Sequence, residues 1–234
     1  MQKKIKRFYK AAAATPTEDG FAVELDGRAV RTPGKVPLVV PLQRLAEAVA
    51  EEWQGQPEEV DPQTMPLNSL VCTAIDIVAP HRIRIVEELA DYGGHDLLCY
   101  WTDEAGELLH RQQAQWQPLL DWSAEALQAP LLKAHGIVSQ AQPPESLAAL
   151  KQAIESHDDL ELTALAAAAK VAGSLVVGLA LSKGRLDAAE ACAVSQLDEL
   201  YQAERWGEDA EAAQRREALK RDLESTAEFL DLLK

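Results

Sequence analysis

The chain has 234 residues, 47% of them hydrophobic and 26% charged, so it is long enough for one large domain or two small ones and apolar enough for a true core. Its formal net charge is −15, although Lys3, Lys4, Lys6, Arg7 and Lys10 make the first ten residues +5 and leave −20 on the remainder. That sign excludes a nucleic-acid or anionic-lipid surface over most of the body.

The basic start lacks the long apolar core of a secretory signal and the Ser/Arg-rich length of a transit peptide, so a cytoplasmic location in a bacterium is expected. Residues 8–41 break into short runs, "FYKAAAATP", "GFAVELDG", "RAVRTPG" and "VPLVVP". "GFAVELDGRAVRT" reads as a hairpin because Asp26-Gly27 is a favoured tight-turn pair between two alternating segments, and a small antiparallel sheet follows. "PLQRLAEAVAEEWQGQ" then switches to helical period, with Leu42, Leu45, Val49 and Trp53 on the side that covers the sheet.

After the connector "QPEEVDPQTMP" the periodicity is helical almost throughout. Helices are expected near 67–79, 81–92, 107–128, 145–156, 159–183, 187–206 and 209–233, with a short extended piece at 95–101. The joints carry turn or cap signals at Pro80, Gly93-Gly94, Gly106, Gly136, Pro143-Pro144, Gly184 and Gly207. The chain therefore reads as an α+β protein, with a β-rich N-terminal module and one covering helix over residues 1–60 and an all-helical module over 61–234. The long apolar run, 162–184, contains Lys170, and its strongly apolar core of about 11 residues falls short of the roughly 20 that span a bilayer. Acids precede it and Lys183, Gly184 and Arg185 follow, so it reads as a central buried helix and no stable membrane insertion is expected.

Signatures of catalysis are missing. "GRAVRTPGK" has neither the spacing nor the hydroxyl residue after Lys35 that a phosphate-binding loop requires, and no nucleophile elbow surrounds Ser174. Cys72, Cys99 and Cys192 are odd in number and widely spaced, and the five histidines show no metal-ligand spacing, so no metal and no cofactor is expected. "GGHDLLCY" does bring His95, Asp96 and Cys99 close in sequence. A small enzyme with a cleft around His95 and Cys99 is the alternative reading, against the plainer one in which all three pack.

"LDELYQAERWGEDAEA", 197–212, carries a tryptophan and a run of carboxylates. At about 100° per residue, Val194, Leu197, Leu200 and Tyr201 share a stripe that can dock on a core, while Glu199, Gln202, Ala203 and Trp206 fall on the other side. Either Gly207 ends the helix and Trp206 folds back under a neighbouring element, or Trp206 is an anchor for a partner.

Several of these stretches together carry a resemblance: "RFYK" at 7–10, "LDGRAVRTP" at 25–33, "PLVVP" at 37–41, "LAEAVAEEW" at 45–53, "MPLNSL" at 65–70, "DLLCY" at 96–100 and "DE…WGEDAEA" at 198–212. In order and over nearly the whole chain, they resemble the assembly chaperones of the catalytic head of F-type ATP synthase. The resemblance implies a two-layer β-containing N-terminal domain and an orthogonal helical bundle. It implies binding of the free alpha subunit until beta arrives, without ATP hydrolysis, as a bacterial counterpart of a mitochondrial matrix protein. The family's C-terminal acidic motif falls on Asp198, Glu199, Trp206 and Asp209; with Gln202, which shares their polar face, these are the expected partner-binding residues.

Overall fold

The computed structural model describes residues 5–135 and 140–234; Lys3, Lys4 and Gly136, singled out above, lie outside them. Two compact units form, one from residues up to Arg82 with Asp159–Thr163 and Glu228–Lys234, the other from Ile83–Asp158 and Ala164–Ala227.

The first unit holds β1 (Ile5–Lys6), β2 (Ala12–Thr17), β3 (Gly20–Leu25), β4 (Arg28–Ala29), β5 (Val39–Val40), α1 (Gln43–Gln54) and β6 (Glu59–Val60). β3 is central: β2 runs antiparallel along one edge, and β4 and β5 share the other, with Leu25 opposite Arg28 and Phe21 opposite Val40. The expected hairpin forms at Asp26 and Gly27, whose φ values of 49° and 77° are the pair of left-handed residues a tight two-residue turn demands. Asp26 does more than turn the chain. Its carboxylate accepts from the amides of Lys10 and Ala11, and those bonds hold it below the usual aspartate range.

α1 lays Leu45, Ala46, Val49 and Ala50 against the sheet, where Val23 and Leu38 are fully buried. Trp53, one turn on from Val49, is only half-buried: its ring meets that of Tyr9, and its indole donates to Asn68 Oδ1 at 3.0 Å. Beside it Glu52 accepts from the amides of Leu67 and Asn68 at 2.8 and 2.7 Å, and so caps α2 (Pro66–Thr73), whose Met65 offers no side-chain cap. The path then passes through a π-turn, Ala74–Val78, into α3 (Ala79–Gly93). Pro80 lacks the amide to continue the ladder, and His81 next to it leaves helical geometry at φ −126°, ψ 25°.

The second unit departs from expectation in its breaks. Residues 97–99 form a 3₁₀ turn, leaving only β7 (Tyr100–Trp101) extended, parallel to β8 (Ala134–His135). The helix expected over 107–128 is two, α4 (Glu107–Gln115) and α5 (Gln117–Ala126), because Pro118 starts a new helix and the fully buried Trp116 spends its indole N–H on Val194 O, 3.0 Å away. After α6 (Pro144–Glu155), the helix expected over 159–183 divides into α7 (Asp159–Ala172) and α8 (Leu175–Ser182). Gly173 takes φ 65°, and Ser174 then caps α8 by accepting from Val177 N.

Asp96 completes that cap. Fully buried, it accepts from Ser174 Oγ at 2.7 Å and Val176 N at 3.0 Å, so a carboxylate meets the positive end of a helix whose residues 175–181 are all buried. Gly178 lets α7 approach closely, since a Cβ there would meet Ala169 N at 3.0 Å. The helix expected over 187–206 is also two, α9 (Ala188–Ser195), with an Asp187–Glu190 capping box, and α10 (Leu197–Trp206), parted where Gln196 reaches ψ 8°. α11 (Ala210–Leu232) completes an α+β fold, and none of the helices described is long and apolar enough to cross a membrane.

Candidate functional site

α10 presents two faces, and the sequence stripe describes its inner one only in part. Val194 and Leu197 are buried, Tyr201 is half-buried, and Leu200 remains 39% exposed, because the surface that receives α10 is α4 and is largely polar. Gln112, 1% exposed, accepts from Thr102 N and donates to Asp198 Oδ1, each at 3.0 Å. Arg111 binds Glu107 at 3.0 Å and Glu204 at 2.8 Å, and its guanidinium lies 5.5 Å from the centre of the Tyr201 ring. Asp198 thus points inward. Burial pushes its carboxyl up, and the Gln112 bond only partly opposes this.

The outer face carries the other expected residues. Glu199, Gln202 and Trp206 form one wall of an open groove of about 320 Å³, and Asp209, Ala212 and Arg215 of α11 and its approach form the other. Gly207 ends α10 at φ 95°, and Trp206 does not fold back: it is 71% exposed. Asp209 caps α11 by accepting from Ala212 N at 3.1 Å. Glu199 uses one oxygen to accept from Arg215 Nη2 at 2.6 Å, while its Oε2 is buried and has no hydrogen-bond partner. Arg216 pairs with Glu208 close by. Arg205 donates to Tyr201 Oη at 2.9 Å, and its guanidinium lies 5.6 Å from the centre of the Trp206 ring.

The second sequence candidate does not assemble. Cys99 is buried, and burial first and Asp96 second push its thiol to about 12, so the thiolate that nucleophilic chemistry needs is suppressed. The His95 ring is within 3.4 Å of Tyr100 Oη, and Asp96 is committed to α8. His95 does line an open hollow of about 660 Å³ with Glu87, Asp91 and Lys151, but Cys99 is not part of its wall.

Sequence reasoning missed Gln112, Arg111 and Arg215 altogether. Gln112 and Asp198 are 86 residues apart, and Arg215 comes from another helix, so no local pattern joins them. Arg205 carried a usable signal in its four-residue spacing from Tyr201.

Comparison with known proteins agrees with this architecture. The family profile described as "ATP12 chaperone protein" matches residues 6–124, just over half of the chain. The chain belongs to the ATP12 chaperone family. ATP12 chaperones are the ATP synthase assembly chaperones that its motifs resemble. The Atp12 crystal structure from Paracoccus denitrificans is 42% identical and superposes with a TM-score of 0.93 over 98% of each chain. An aspartate-to-lysine variant of P. denitrificans Atp12p gives the same TM-score at 41% identity and the same coverage. The mitochondrial protein atp12 of Schizosaccharomyces pombe is 28% identical over 240 residues, 97% of this chain and 82% of that protein.

Proposed function

We propose that this ATP12 chaperone binds the unassembled alpha subunit of F-type ATP synthase and shields its apolar assembly surface until beta replaces it. Family membership supports the assembly role, and one observation carries the location of the site: Trp206, 71% exposed, rises beside Glu199 at the lip of the α10–α11 groove. Monomeric proteins seldom leave a tryptophan out in water, and aromatic anchors dominate protein interfaces. Glu199, Gln202, Trp206 and Asp209 face the client, while Asp198 holds α10 in place through Gln112. The work is done by binding and release in the bacterial cytoplasm, with no bond made or broken.

Co-expression with alpha and with beta separately, followed by pull-down and size exclusion, tests the reading. A soluble complex with alpha alone, dispersed when beta is added, is the expected result; a complex with beta alone, or with neither, would overturn it.

A further inference from the structure

Both client-facing anchors of the groove are already in contact with cations, and the cations belong to the chain itself. Arg215 donates to Glu199 Oε1, and Arg205 lies over the indole of Trp206. A guanidinium is suited to both positions, since its planar fork matches a carboxylate and its face stacks on an aromatic ring. An ammonium is a point donor and does this less well. The carboxylate is also incompletely used: Glu199 Oε2 is buried and has no hydrogen-bond partner, although a carboxylate can accept from a guanidinium through both oxygens. Arg215 is a weak occupant. Its side chain is 60% exposed, and an ion pair in that setting is readily exchanged.

We infer that Glu199 and Trp206 form a guanidinium site at this groove, met in the free chaperone by Arg215 on Glu199 and by Arg205 on the Trp206 ring, and that the client brings an arginine of its own, which takes Glu199 in bidentate fashion and stacks on Trp206. The inference deepens the proposed function and rests on it for the identity of the client. It makes Arg215 an internal competitor, because the free chaperone gains from the Arg215–Glu199 pair what the complex must give up.

The signs of the variants follow. Removing Arg215 leaves the free site without its stand-in, so Arg215→Gln should tighten binding of purified alpha subunit by roughly two- to fivefold, the range set by exposed ion pairs. Glu199→Gln should weaken it, and Arg215→Gln should have no effect once Glu199 is glutamine. Arg215 is exposed, so circular dichroism of the variant should match that of the parent. Arg215→Gln weakening alpha binding as Glu199→Gln does would overturn the inference, since Arg215 would then be a client contact.

A second arm needs no client. N-acetyl-arginine amide, titrated against the full chain, should shift the indole N–H resonance of Trp206, and at lower concentration in an Arg205→Gln/Arg215→Gln variant than in the parent. An unmoved indole in that variant would refute the guanidinium site. Failure of the parent to bind alpha, with the arginine amide still shifting Trp206, would sink the alpha reading and leave the site standing.

Discussion

Trp206 and Asp198 belong to one helix and point opposite ways, one into solvent and the other to Gln112, so their substitutions should separate. Trp206→Ala removes a side chain with little packing to lose, and stability should stay within about 0.5 kcal/mol of the parent. Binding of the alpha subunit should weaken by about 2 kcal/mol, measurable by titration calorimetry. Glu199→Lys should also stay folded and lose more, since it removes the acceptor that Arg215 holds in the free chain and sets a cation against the client's arginine. Asp198→Asn should do the reverse, because asparagine still accepts from Gln112 and client affinity should be kept. Its effect is on the pH dependence of stability. The folded pKa of Asp198 is raised above its unfolded value near 3.8, so the folded state holds the proton more tightly, and the parent loses stability as pH rises from 3.8 through the folded value. The asparagine variant lacks that loss, and urea titrations at pH 4 to 7 should give it the flatter curve. The polarity of α10 was legible from residue spacing alone, which put Glu199, Gln202 and Trp206 off the core. The inward turn of Asp198 was not, because its partner Gln112 lies 86 residues away.

At the level of elements, the junction at Gly173 shows why local signals read well and breaks read badly. The Asp26-Gly27 hairpin could be seen in advance because a tight turn is decided by the two residues in it. The split between α7 and α8 could not, since the apolar periodicity runs through it without interruption and only the φ of 65° at Gly173 and the cap at Ser174 reveal it. At Trp116 the local signal was present in Pro118, and the indole bond to Val194 O comes from 78 residues away; at Gln196 no proline or glycine marks the break between α9 and α10. Gly173→Ala places a Cβ in open space but in left-handed backbone, so it should cost about 1 kcal/mol in chemical denaturation without disturbing alpha binding. Removing the capping box by Asp187→Ala should cost about as much, by the same measurement.

For the whole molecule, the net charge of −15 acts at a distance from any single contact. If the client meets the groove with cationic groups, the association rate constant should fall steeply as salt is raised while the dissociation rate changes little, a pattern that stopped-flow mixing would resolve. The Asp96 network acts on a different axis, that of time. Asp96 leaves the ribosome 78 residues before Ser174, and at ordinary rates of synthesis the interval is roughly 4 to 16 s. Throughout it the carboxylate has no helix end to meet, and the buried helix that will need it does not yet exist. The second unit can therefore close only late in translation, after the chain that carries Ser174 has emerged.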